Sequence, residues 1–321
     1  MRHHPKRLAR FAALCLIVLA SAGGCAYYNT FYIAKKNYRE AQKAQERSTT
    51  DAPAPEAMSK YDVVIRQCKK MEEEHSKSKW ADDAGYLMGA SLYGKGDYSG
   101  AIKKLTEFQG RFPKSPFRSE ARFTEGLARY RLKEYGGADS IFREIHAKER
   151  DFPRKWELNF YAGETQSALK NYDVANWWYR RALKETGERR EKSNTLRRSA
   201  DAYLAAERPD TAQALYNEVL NVEERGAQRV EAAMARAEAL RQMGKYQEAL
   251  EFLEDWRAYA AEVGKEGELM LRVYDLKALT GRVPEAIQGY RGLIEKFPRT
   301  PAAYESQFQI GFLHETVLAD L

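Results

Sequence analysis

Apolar residues return along this chain at helical spacing in short blocks, and no stretch of any length alternates strictly between apolar and polar. Residues 117–149 show the pattern. Phe123, Gly126, Leu127 and Tyr130 stand at i, i+3, i+4 and i+7, which is one face of a helix. The pattern breaks at Lys133–Glu134 and resumes at Tyr135, with Ala138, Ile141, Phe142 and Ile145 on a second face. The spacing predicts two helices, A and B, joined by a tight turn. Ala101, Ile102, Leu105 and Phe108 repeat the second half, as do Ala212, Leu215, Tyr216 and Val219, then Ala286, Ile287, Tyr290 and Leu293. Gly96, Gly244 and Gly281 fall where helices break and suit the left-handed position past a helix end.

The pairs recur with a period of 37. Ala101, Ala138, Ala175, Ala212, Ala249 and Ala286 are evenly stepped, and three residues before them stand Tyr98, Tyr135, Tyr172, Pro209, Tyr246 and Val283. Twelve residues before stand Gly89, Gly126, Gly163, Ala200, Ala237 and Tyr274, and the series resumes at Gly311. Six full units and two partial ones follow. Antiparallel helices approach closely only where side chains are short, so the glycine place on helix A and the alanine place on helix B are the expected crossing. Each large side chain buried between helices contributes roughly 1.5–3 kcal/mol. A pair this short cannot bury its face alone, so units must stack.

The stretch GASLYGKGDYSGAI at 89–102, with Pro113 closing the unit, resembles the tetratricopeptide repeat. The usual unit of that family is 34 residues, so three more imply longer helices or longer B-to-A loops. RFPKSPFRSEARFTEG (111–126) and KFPRTPAAYESQFQIG (296–311) stand five periods apart, with a weaker copy at 75–89. The F-P-x-S-P form before a helix, and the leading CAYYNTFYIAKKNYREA, resemble BamD-type outer-membrane assembly lipoproteins. The resemblance implies an all-α, right-handed superhelical solenoid of antiparallel helix pairs over 58–321. It also implies that helix A lines the concave surface, placing Tyr86, Tyr93, Phe123, Leu127, Tyr130 and Phe160 as anchors for an extended peptide. Glu164, Arg197, Asp201, Met234, Glu238 and Arg241 continue that surface in more polar form. The competing reading is that these side chains fill the core between helices.

The first residues change the picture of where the chain resides. Arg2, Lys6, Arg7 and Arg10 precede the apolar run 11–22, too short for a comfortable permanent span. Gly23, Gly24 and Cys25 follow and resemble a lipoprotein signal, although Ala22 stands where that family usually carries Leu. The resemblance implies a signal peptide over 1–24, acylation of Cys25 and durable anchoring. Ala26, rather than Asp, favours the outer membrane with the chain facing the periplasm. Without 1–24 the net charge falls from +7 to +3, which removes the compositional support for nucleic-acid binding.

Chemistry is sparse. His75, His146 and His314 lie far apart in the array, no catalytic or phosphate-binding motif occurs, and neither a cofactor nor a metal is expected. Cys68 shares a helical face with Tyr61, Val64 and Ile65 and reads as a buried, inert thiol. Residues 26–47 read as one helix. Its aromatics either sit at a membrane interface or pack on the first helix B, as the missing helix A of that unit. A linker with two prolines follows at 48–57. The terminal helix exposes Phe308, Phe312 and Leu313, as a cap, a docking face or a cut edge. The expected function is a non-enzymatic, lipid-anchored scaffold for envelope proteins or extended peptides, as in outer-membrane protein assembly. The alternatives are a scaffold for envelope or cell-division complexes near peptidoglycan and, from another class, the substrate-holding region of an enzyme.

Overall fold

The structure, a computed structural model, describes residues 29–47, 53–223 and 225–316. The expected leader over 1–24 and Cys25 lie outside them. Among the described residues every regular element is an α-helix, and the chain divides into two units at Pro153–Arg154. The first unit holds α1 (29–46), α2 (Pro55–Glu74), α3 (Ala81–Gly94), α4 (Tyr98–Arg111), α5 (Arg118–Arg131) and α6 (Tyr135–Lys148). The second begins with α7 (Lys155–Ala168), α8 (Tyr172–Glu185), α9 (Arg189–Ala205) and α10 (Pro209–Val222). It continues with α11 (Ala227–Gln242), α12 (Tyr246–Asp255), α13 (Arg257–Glu262), α14 (Glu266–Leu279), α15 (Val283–Lys296) and α16 (Pro301–Thr316). Consecutive helices within each unit pack as antiparallel hairpins, with α12 and α13 together in the place of one B helix.

The tyrosine series marks the first residue of each B helix: α4, α6, α8, α10, α12 and α15 open at Tyr98, Tyr135, Tyr172, Pro209, Tyr246 and Val283. Pro209 costs nothing there, because the first helical N–H lacks a partner anyway. The turn before each B helix is equally regular. The residue two before it has positive φ every time: Gly96, Lys133, Lys170, Glu207, Gly244 and Gly281. In each turn an i to i−5 bond closes the end of helix A, as from Asp97 N to Leu92 O (3.0 Å) and from Glu134 N to Arg129 O (2.9 Å). The turn repeats even where glycine, the residue that suits it, does not. The extra length of the unit lies in the B-to-A connection, as at 112–117. There Ser115 accepts a hydrogen bond from the Phe117 amide and donates one to Asp82 (2.8 Å), and Ser78 repeats the capping role at the Trp80 amide.

The crossings lie at the small residues. Ala101, Ala138, Ala175, Ala212, Ala249 and Ala286 are wholly buried. A Cβ on Gly89 would lie 2.5 Å from Leu105, one on Gly126 2.7 Å from Phe142, and one on Gly163 2.6 Å from Tyr179. Where helix A instead carries Tyr274, helix B supplies Gly289, whose Cβ would meet that ring at 2.2 Å. The bulky and small partners have exchanged sides. Gly311 departs from the expected packing role: it is exposed, and nothing lies within 4 Å of its Cβ position.

The N-terminal segment packs. Phe31 and Ala34 of α1 are buried with Val64, Cys68 and Met71 of α2, and Phe31 stacks on Trp80 at 5.0 Å. Tyr32 stays exposed. The linker expected over 48–57 gives way to α2 at Pro55, and Gln45 Oε1 accepts the Ala54 amide at 2.9 Å. One B helix is broken: α12 ends at Asp255 and the chain restarts as α13 after Trp256.

Candidate functional site

The six expected anchors, five of them in the first unit, separate by burial. Phe123 and Leu127 are buried, the former between Phe142 (5.7 Å) and the edge of Phe152 (5.3 Å). These two are core, not groove. Tyr86, Tyr93 and Tyr130 keep exposed edges. Tyr86 stacks on Phe117 at 5.1 Å, while Tyr93 and Tyr130 lean on the opening tyrosines Tyr98 and Tyr135 of the next helix, at 5.6 and 5.8 Å. Phe160, in the second unit, is buried against Trp156 (5.2 Å) and Tyr179 and is likewise core. The physical reason is common to all three: an A helix is buried on most of its circumference. In α5 the run from Phe123 through Ala128 is buried without a gap.

The second unit carries a ladder of acids on its A helices. Glu164, Asp201, Glu238 and Asp275 occupy the register place that Leu127 fills in the first unit. Opposite Leu127 stands Phe142; opposite three of the acids stands a tyrosine. Tyr179 donates to Glu164 (2.6 Å), Tyr216 to Asp201 (2.7 Å) and Tyr290 to Asp275 (2.6 Å). An apolar pair has become a hydrogen-bonded one, so each of these carboxylates, buried at Glu164 and half-buried at Asp201 and Asp275, has a donor. At the Glu238 rung Leu253 replaces the tyrosine, and Glu238 instead takes a two-pronged bond from Arg241 on its own helix (2.7 and 2.6 Å). Burial pushes the Glu238 carboxyl up, but Arg241 more than offsets it and holds it below the usual carboxylate range. At Asp275 burial outweighs the Tyr290 bond and the pKa rises. Burial, with the adjacent carboxylates, raises both Tyr216 and Tyr290.

Beside these rungs the surface opens into a cleft of about 480 Å³, lined from α11, α12, α14, α15 and α16. Met234, Leu253, Leu276 and Leu313 form its apolar floor; Leu279 and Phe312, each about half exposed, form its lips. Glu238, Arg241, Arg272, Asp275, Tyr290 and Gln309 supply the polar groups. Arg272 is the distinctive member. Its counterpart two repeats earlier, Arg198, is closed onto Glu164 through Nε (2.7 Å) and Nη2. That pair holds the Arg198 guanidinium proton more tightly than usual. Arg272 stands to Glu238 as Arg198 stands to Glu164, but Arg241 already occupies Glu238. Among the described residues the Arg272 guanidinium makes no hydrogen bond or ion pair, although its charge acts on both Glu238 and Asp275.

The arrangement offers an apolar seat of side-chain size beside a donor group with no acceptor, which suits an extended peptide with an apolar and an acidic residue. No Ser, Cys or His lines the cleft. Among the described residues no cluster of His, Cys, Asp and Glu could hold a metal ion. Burial pushes the Cys68 thiol up to about 12, far from a reactive thiolate. Met234, Glu238 and Arg241 are readable from the sequence as groove positions. Arg272, Asp275, Gln309 and Phe312 extend them, and continuing the 37-residue step from Arg198 and Asp201 reaches the first two.

Two tetratricopeptide-repeat models match the chain, one over residues 83–115 and one over 197–262. Among solved structures, the apo form of RapI superposes with a TM-score of 0.68 at 12% identity, covering 89% of this chain and 80% of that one. The C-terminal part of a TPR repeat-containing protein from Cytophaga hutchinsonii gives 0.63 at 13% identity, with 84% and 98% covered. PilF of Pseudomonas aeruginosa gives 0.50 at 18% identity, with 71% and 97% covered. At these identities the likeness is one of fold. A comparison with curated protein sequences finds no match.

Proposed function

The chain carries tetratricopeptide repeats, and we propose that it is a protein-interaction scaffold whose cleft over α11–α16 seats an extended segment of a partner. The observation that carries this is the contrast between two arginines in one register: Arg198 is closed onto Glu164, and Arg272 is left open beside exposed Leu279 and Phe312. A partner carboxylate closes the open pair, and an apolar side chain fills the seat. A random peptide library panned on the full chain tests this. Enriched sequences carry an acidic residue near an apolar one, and Arg272→Glu weakens them roughly tenfold or more, the worth of a charge-assisted bond. Enrichment that ignores Arg272→Glu and Phe312→Ala alike contradicts the reading.

The finer reading is that the scaffold is lipid-anchored through Cys25 at the outer membrane, facing the periplasm, and serves envelope-protein assembly. Its support is the basic-then-apolar run 1–22, the small residues before Cys25, and the F-P-x-S-P junctions. Cys25→Ser releases the chain from membranes if the anchor is acyl; continued attachment contradicts it. Recovery of an outer-membrane barrel subunit from detergent extracts supports the assembly role. Recovery only with sacculi supports instead a scaffold near peptidoglycan.

A further inference from the structure

The excess of positive charge beyond the leader sits in one helix. Residues 25–321 carry a net +3, and residues 29–47 alone hold five cations against two acids, also a net +3, so the rest of the chain balances. The cations are not spread round α1. Phe31, Ala34, Ala41 and Ala44 are buried and fix its inner face. At about 100° per residue, Lys36, Arg39 and Lys43 fall in line on the opposite face. All three are exposed, as is Arg47 just past the last turn. Lys35 lies off this line, where its charge acts on Asp83. Of the two acids, Glu40 is taken by Lys60 of α2 and only grazes Lys36 at 4.0 Å, and Glu46 stands to the side of the row. Arg39, Lys43 and Arg47 make no hydrogen bond or ion pair among the described residues.

We propose that the outer face of α1, Lys36–Arg39–Lys43 with Arg47, lies against the headgroups of an anionic phospholipid bilayer. The place of this contact rests on the reading of Cys25 as the anchoring residue. Cys25 stands four residues before α1 begins, a reach of at most about 14 Å when fully extended. An acyl chain there holds the helix within that distance of the phosphates, and the row of cations adds a second hold to the first. The row runs straight, about 10 Å along the axis from Lys36 to Lys43, as a flat array of phosphates requires. The aromatic and alanine face is already spent on α2, so the helix lies on the headgroups by charge and does not bury itself in the acyl layer. Its long cationic side chains bridge the remaining gap. A nucleic acid offers the same phosphates; the place beside Cys25 is what favours the lipid.

Sedimentation with vesicles tests the proposal on the full chain carrying Cys25→Ser, which keeps any acyl chain out of the measurement. This chain should prefer vesicles of phosphatidylglycerol and phosphatidylcholine to phosphatidylcholine alone. Lys36→Gln, Arg39→Gln and Lys43→Gln should each cut that preference about fivefold, and the three together about a hundredfold. The four cations of residues 1–24 are common to every variant and cancel in the comparison. Lys103→Gln removes one exposed charge from α4 and should leave the preference unchanged. The α1 effect should vanish in about 1 M salt, where the screening length is about 3 Å. A preference that the triple variant retains in full, or an equal loss from Lys103→Gln, overturns the proposal. So does an oligonucleotide that binds the Cys25→Ser chain more tightly than the vesicles do and loses that binding in the triple variant. A hold by cations alone washes off in salt and an acyl anchor does not, so this proposal and the reading of Cys25 fail separately.

Discussion

Gly163 and Gly311 hold the same place in the 37-residue register and meet opposite surroundings. A Cβ on Gly163 would lie 2.6 Å from the Tyr179 ring, a fully buried side chain with no room to withdraw, whereas nothing stands within 4 Å of Gly311. Gly163→Ala should therefore destabilise by about 1–3 kcal/mol through overpacking. Gly311→Ala should be neutral or stabilise by up to about 1 kcal/mol, since alanine loses less backbone freedom in a helix. Thermal melts of the two variants check this, and equal shifts would sink the close-approach argument. The same scale shows where sequence reading stops. Gly96, Gly244 and Gly281 announce the left-handed turn, but Lys133, Lys170 and Glu207 adopt it unannounced. Hairpin packing imposes φ near +60° there on residues that do not prefer it, and only the register betrays them.

At the scale of the element, the B helices were legible and the A helices were not. A B helix such as α8 buries one stripe, so its spacing states its orientation directly. An A helix such as α5 or α7 is buried on nearly all sides, so spacing cannot say which of its aromatics face a neighbour and which face a groove. Phe123, Leu127 and Phe160 are core for that reason, while Tyr86, Tyr93 and Tyr130 retain an edge. The acid–tyrosine pairs that tie A to B within a hairpin carry a pH signature. Tyr216 and Tyr290 have raised folded-state pKa values, whereas in the unfolded chain a phenol ionises near pH 10. The stability from each is fully present below about pH 10 and is lost as pH rises through the folded value. The limiting slope is about 1.4 kcal/mol per pH unit for each phenol. Urea midpoints between pH 9 and 11 should fall accordingly, and Tyr216→Phe should remove one share of the slope. An unchanged slope in that variant would separate the phenol from the effect.

Across the whole molecule, the even step of small residues is what makes the chain readable, because every hairpin solves the same packing problem at the same place. The cleft was legible only in part. Met234, Glu238 and Arg241 fall on expected groove positions, but the open state of Arg272 depends on Leu253 lacking the hydroxyl that its counterparts Tyr216 and Tyr290 supply. That is a relation between helices, visible once the repeats are laid over one another in space. Native-state hydrogen exchange on the full chain measures the repeat directly. The opening amides of each B helix lack acceptors from their own helix and should exchange fast, near residues 98, 135, 172, 210, 246 and 283, with slow exchange around Ala101, Ala138, Ala175, Ala212, Ala249 and Ala286 between them. Fast exchange at those alanines, or a protection pattern that does not repeat about every 37 residues, would contradict the hairpin register.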